Sequence, residues 1–284
     1  MSAPAPAEKG YQPLLVVIDP AARRSDGESV RIAKDVLCAR SCGSVKICLP
    51  DGPEEFARAL QRRGSRRPVV VGDDRALLRA VSVLHREREL ASSVLSLIPV
   101  GPLTRLAQTL GVPAGTVEAA SAVLDGEARH LDLLVDDSDG VVLGDLRIPA
   151  LPAAAHGPDP WWAPPLRTCQ SLVRTLVRPS PAASAGPSRL RVEVDGVTLV
   201  DLDQPVEDVS VATSRGGFAR IEVRPTWVGA AAPALRARAR TVTVSGPDFR
   251  YRADALTAGP VRTRTWTVRP GAWALTLPAH GVSR

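Results

Sequence analysis

Lysine is nearly missing from this chain: of 36 basic residues only Lys9, Lys34 and Lys46 are not arginine. With abundant alanine and proline, that bias points to GC-rich coding rather than to a nucleic-acid footprint. Aromatic residues are also few, five Trp, two Tyr and three Phe, and they form no stripe on which bases would stack. No nucleic-acid partner is expected. The net charge of +6 does suit contact with an anionic membrane surface. No apolar run approaches the length of a membrane span. The opening MSAPAPAEKGYQP has no apolar h-region, so residues 1–11 read as a disordered lead-in rather than a signal peptide. The expected location is cytoplasmic, with peripheral membrane contact left open. Cys38, Cys42, Cys48 and Cys169 form no CxxC pair, and no nearby histidine completes a zinc set. They read as buried free thiols. His85, His130, His156 and His280 stand in unrelated contexts, and neither a Ser-His-Asp set nor a metal constellation stands out among them.

What is present is ample for folding. The 284 residues are 44% apolar and 23% charged, enough for two modest domains with cores. The first half alternates apolar β runs with helical patterns. Leu14–Asp19 reads as a buried strand and 25–40 as a helix, with Ser25 and Glu28 spaced like a capping box. Val45–Leu49 is the next strand, and Pro53 with Glu54 and Glu55 opens a second helix. Pro68–Val81, PVVVGDDRALLRAV, is a strand, a glycine, two aspartates and a helix in immediate succession. That geometry points helix N–H groups at an anionic ligand. A second such junction lies at Val94–Leu110, through Pro99 and Gly101. A helix over 117–124 and a strand over 130–135 complete an open, mostly parallel α/β domain over residues 12–133.

From Val141 the pattern becomes short alternating β runs between Gly, Pro and Asp turns, including a hairpin turn at Asp195-Gly196. Residues 134–284 are therefore expected to form an antiparallel β-sandwich. A proline-rich interruption at 149–187 contains one predicted helix, 165–176.

In this order the chain resembles the diacylglycerol kinase and sphingosine kinase family of lipid kinases, particularly the bacterial diacylglycerol kinase type. The family's Gly-Gly-Asp-Gly-Thr loop falls on Gly72, Asp73, Asp74, Arg75 and Ala76. A second motif, roughly PLGTGNDFAR followed by LGIP, falls on Pro99 to Gln108 and then Leu110-Gly111-Val112-Pro113. The strand GEARHLDLLV places Asp132 on a family aspartate, and TVTVSGPDFRYRAD and VRPGAWALTLP look like the closing strands. The resemblance implies a nucleotide-binding α/β domain and a β-sandwich, ATP with Mg2+ in the cleft between them, and a lipid alcohol as acceptor. It implies nucleotide contacts at Gly72, Asp73, Asp74, Arg75, Ala76, Pro99 and Gly101, and a remnant site at Arg105, Asp132 and Asp254.

The residues depart from that pattern where the chemistry is expected. Asp73 and Arg75 replace glycines that let backbone approach phosphate. Either aspartate is suited to cap the following helix itself. Ala76 removes a hydroxyl, and Arg105 stands where the family has a carboxylate. The family's Asp-Gly-Glu becomes Asp254-Ala255-Leu256, and leucine cannot act as the general base expected there. No acidic metal loop is found. The reading is a lipid kinase-like protein, weak or inactive in phosphoryl transfer, with a non-catalytic binding module as the alternative. Arg62, Arg63, Arg66 and Arg67 are either solvated charge or a contact for lipid headgroups.

Overall fold

A computed structural model describes residues 12–41, 43–149, 187–214, 216–226 and 233–279. In the first unit, β1 (Leu14–Ile18), β2 (Val45–Cys48), β3 (Arg67–Gly72) and β4 (Val94–Pro99) pair in parallel in the order β2-β1-β3-β4. Helices α1 (Pro20–Ser25), α2 (Gly27–Arg40), α3 (Pro53–Gln61), α4 (Asp74–Arg86), α5 (Arg105–Leu110) and α6 (Thr116–Asp125) fall between and after them. Every residue of β1 is buried because both faces of the sheet are covered. On one face Leu14, Val16, Ile18, Val69 and Val71 pack against Val30, Ala33 and Leu37 of α2 and Ala119, Ala120 and Val123 of α6. On the other side of the sheet lie α3 and α4, whose Phe56, Leu60, Leu77 and Leu84 are fully buried. Each such leucine contributes about 1.5–3 kcal/mol by leaving water.

The local signals that build these helices differ in one place from the sequence expectation. A single helix opened by a Ser25–Glu28 capping box was expected; the chain instead makes two. Asp19 and Pro20 start α1, and Asp26 caps α2 by accepting from the Ser29 N–H at 2.9 Å. Aspartate is as good an N-cap as serine, and proline at N1 is already set to a helical φ. Glu28 is thereby free to pair with Arg31. The thiols are not buried as expected. Cys38 is exposed, because the apolar stripe of α2 runs through Val30, Ala33 and Leu37, and Cys48 is half-buried. Cys42 and Cys169 lie outside the described residues, as do residues 1–11 and the expected helix at 165–176.

The units do not follow a linear split at 133/134. The first holds residues through Gly144, the turn ending at Gly217 and the chain from Val268 onward. It includes β5 (Glu127–Asp136) and β6 (Val141–Val142). The reason is the last strand, β14 (Leu256–Leu277; β7 to β13 follow below), whose Ala274 and Leu275 pair in parallel with Val94 and Leu95. Trp273, Ala274 and Leu275 are buried there.

The second unit, Asp145–Ser214 and Phe218–Thr267, is antiparallel throughout its described strands. These are β7 (Asp145–Ile148), β8 (Arg191–Val194), β9 (Val197–Val200), β10 (Val206–Ser214), β11 (Phe218–Pro225), β12 (Leu235–Ala239), β13 (Thr241–Ala253) and the first half of β14. Asp195 and Gly196, with φ of 48° and 82°, make the expected tight turn between β8 and β9. Strand β13 pairs with β8 at its start and with β7 at its end, shifting register around Phe249. Such a bulge lets one strand serve both layers of a sandwich. Tyr251 and Trp266 meet edge-to-face at 5.2 Å in its interior. The fold class is therefore the expected one: a parallel α/β unit and an antiparallel β unit.

Candidate functional site

In the first unit β1 is the strand from which the chain leaves first to one side, to β2, and then to the other, to β3. Ligands of open parallel sheets bind beyond the strand C-termini at such a switch point. The residues there are Asp19 after β1, Gly72 and Asp73 after β3, and Pro99 to Gly101 after β4. Backbone bonds from Asp19 N–H to Val71 O (2.9 Å) and Val100 N–H to Gly72 O (3.0 Å) hold the three strand ends together. Gly72 is required by close approach. A Cβ there would lie 2.6 Å from Ala76 Cβ and 3.0 Å from Asp19 Cβ. Gly101 has φ +125°, and a Cβ on it would meet Asp73 Cβ at 3.2 Å. Thus Gly72, Asp73, Ala76, Pro99 and Gly101 are brought together.

Both aspartates of the loop are committed to helix ends. Asp73 is the N-cap of α4: its Oδ1 accepts from the Arg75 N–H at 3.0 Å and the Ala76 N–H at 3.2 Å. Asp74 reaches across to α5. Its Oδ2 accepts from Leu106 N–H at 2.9 Å and its Oδ1 from Ala107 N–H at 3.0 Å. The N-cap residue of α5, Thr104, makes no side-chain cap of its own. Asp74 N–H also donates to Leu103 O at 2.7 Å. Both side chains are buried, and burial pushes both carboxyls above the usual aspartate range. The backbone N–H bonds pull each back down. For Asp73 the neighbouring Asp19 adds to the rise, and Arg75 opposes it.

An ion pair not anticipated from the sequence sits at the same place. Arg79 Nη1 lies 2.6 Å from Asp19 Oδ2, with the two side chains 11% and 5% exposed. Asp19 Oδ1 meanwhile caps α1 by accepting from Ala21 N–H at 2.7 Å. The Arg79 guanidinium also lies over the Phe56 ring, 5.2 Å from its centre. The available signals were an aspartate before proline at a strand end, and a lone arginine one turn beyond Arg75 in an otherwise apolar helix. Arg75 is half-buried and has a buried Nε with no hydrogen-bond partner among the described residues.

Of the remaining candidates, Arg105 adjoins the crevice, just before the Leu106 and Ala107 N–H groups that donate to Asp74. Arg105 is exposed at the first position of α5. Asp132 ties β5 to the turn at Gly217 and to β14 (Leu256–Leu277), its Oδ2 accepting from Gly217 N–H at 2.8 Å and its Oδ1 from Gly271 N–H at 2.9 Å. Asp254 belongs to the second unit, at the turn between β13 and β14 with φ 49°. It accepts from Asp145 N–H at 3.1 Å through Oδ1 and donates its own N–H to Asp145 O at 2.8 Å. Among the described residues no three His, Cys, Asp or Glu side chains are grouped to share a metal ion.

A nucleotide's phosphates fit this crevice poorly. The N–H groups of both helix starts already donate to carboxylates, and Ala76 offers no hydroxyl. Asp19 and Asp73 already answer Arg79 and Arg75 in charge. A phosphate oxygen about 4 Å from one of these carboxylates would meet repulsion of about 1 kcal/mol in water, and about 4 kcal/mol at an effective dielectric of 20.

No family model matches the chain, and no curated protein matches it. Solved structures do. A presumptive diacylglycerol kinase from Bacillus anthracis strain Sterne superposes with a TM-score of 0.69 at 15% identity, over 94% of this chain and 97% of that one. A second structure described in the same way gives 0.69 at 16% identity over 96% and 99%. A diacylglycerol kinase from the same organism gives 0.67 at 13% identity over 96% and 98%. At these identities the likeness is one of fold, and over nearly its whole length the chain has the diacylglycerol kinase-like fold.

Proposed function

We propose that this is a lipid kinase-like protein whose phosphoryl transfer from Mg-ATP to a lipid alcohol is weak or absent. Its crevice is kept as a rigid element of a binding module rather than as a phosphate cradle. The observation that carries this reading is the double capping by Asp73 and Asp74. Phosphoryl transfer depends on positioning and on neutralising charge at the phosphates, and here the backbone donors at both helix starts are spent on the protein itself. The resemblance adds a second reason. Leu256 stands at the family's base position, and loss of a general base costs about 10²- to 10⁴-fold. Loss of electrostatic positioning costs about a further 10²-fold or more, although such factors need not multiply.

The test is incorporation of labelled phosphate from Mg-ATP into diacylglycerol and other lipid alcohols presented in vesicles. Kinases turn over at about 1–100 per second. The expected rate is at least about a thousandfold lower. Turnover in the ordinary kinase range would overturn the reading.

A further inference from the structure

The opposite end of β3 carries a different site. A cleft of about 270 Å³ opens beside the start of β3 and β4, lined by Gln12, Arg63, Arg66, Arg67, Ser92 and Ser93 among others. It lies about 16 Å from the crevice along the six-residue strand. No carboxylate is among its lining residues. Arg63 forms its buried floor: it pairs with Glu89, donates to Leu60 O at 3.2 Å, and donates to Ser93 Oγ at 2.7 Å. Because Ser93 Oγ accepts that bond, its own proton is left to donate. Arg67 donates through Nη2 to Val123 O, which fixes the guanidinium without neutralising it. Arg66 has no carboxylate partner among the described residues, and the Nε atoms of Arg66 and Arg67 are both buried without a hydrogen-bond partner. Two guanidinium groups are thus held at one small cleft with no carboxylate among the described residues to answer them. Burial also pulls the Arg67 pKa down, a cost that a bound anion would offset.

We propose that this cleft binds a phosphate group, as a free phosphomonoester or as the headgroup of an anionic lipid, with Arg66 and Arg67 neutralising its charge. A tetrahedral dianion can accept from the terminal N–H groups of both guanidinium groups and from a serine hydroxyl at once, whereas a planar carboxylate offers two oxygens. Guanidinium groups are the preferred protein partners of phosphate. The volume, just below the 300–1,000 Å³ usual for small-molecule sites, suits a headgroup rather than a whole nucleotide. The arginine cluster singled out in the sequence thereby acquires a role separate from the crevice at the far end of the strand.

Two arms test the proposal on the full chain. Calorimetric titration with inorganic phosphate and glycerol phosphate reads the free ligand. Co-sedimentation with phosphatidylcholine vesicles, with or without phosphatidic acid, reads the headgroup. Saturable binding is expected in at least one arm, weakened roughly tenfold or more by Arg66→Ala. Arg75→Ala at the crevice should leave it unchanged, which separates this site from the other end of the sheet. Arg66 is held by its backbone N–H, which donates to Arg63 O at 3.2 Å, and its side chain has no ion pair among the described residues, so thermal melting of the variant should match the wild type. Absence of binding in both arms, or equal binding by wild type and a folded Arg66→Ala variant, would overturn the proposal.

Discussion

Asp73 and Asp74 are neighbours with different demands, and the difference can be read from their oxygens. Asp73 accepts both of its N–H bonds through Oδ1 alone, so asparagine can keep the cap. Asp73→Asn is expected to stay within about 0.5 kcal/mol of wild type, since the two residues rank together as N-caps. Asp74 uses one oxygen for each donor. In Asp74→Asn the amide nitrogen must face either Leu106 N–H or Ala107 N–H, and the expected loss is about 1–3 kcal/mol. Urea denaturation of the two variants measures both. The pH dependence of the first is also signed. Burial raises the folded-state pKa of Asp73 above the 3.8 of the free side chain. Its protonated form therefore contributes stability that is fully present below that value and is lost as pH rises through the folded pKa. Asp73→Asn removes this loss, so its melting temperature relative to wild type should rise from about pH 3 to about pH 7. A constant or falling difference would contradict the assignment.

At the scale of elements, the junction between β3 and α4 is where strand, turn and helix have to meet within van der Waals limits. Gly72→Ala places a Cβ 2.6 Å from Ala76 Cβ and 3.0 Å from Asp19 Cβ. Neither neighbour can swing aside, since a Cβ moves only with its backbone. A loss of about 1–3 kcal/mol is expected by denaturation. The Asp19–Arg79 pair ties α4 to the end of β1 and the start of α1. Arg79→Met would leave Asp19 buried without its counter-ion, at an expected cost of about 3–5 kcal/mol. The capping of α4 by Asp73 was legible in the sequence because cap, turn and helix are contiguous. The reach of Asp74 to α5 and the Asp19–Arg79 pair were not. They join residues 32 or more positions apart, and nothing local announces which strand end will lie beside which helix. The Ser25 cap was misassigned for a related reason: serine and aspartate one residue apart compete for the same role, and the proline at position 20 decided where the turn began.

For the whole molecule, the order of elements and the change from parallel to antiparallel structure were readable from hydrophobic periodicity alone. The return of the C-terminal segment was not, because a β run does not name its partner. Residues from Val268 rejoin the first unit, where Ala274 and Leu275 extend the parallel sheet beside β4. Gly271 N–H there is one of the two donors to Asp132. A chain ending at Thr267 should therefore lose cooperative unfolding of the parallel unit, seen as a broadened or absent transition by circular dichroism, although the deleted segment follows the entire antiparallel unit in sequence. The proposed function requires that the switch-point crevice, satisfied by its own carboxylates, holds no usable phosphate cradle. Calorimetric titration of the full chain with Mg-ATP tests it most directly. No saturable heat is expected, or a dissociation constant weaker than about 1 mM, equivalent to less than about 4 kcal/mol of binding. A micromolar constant that is lost in Arg75→Ala would contradict it.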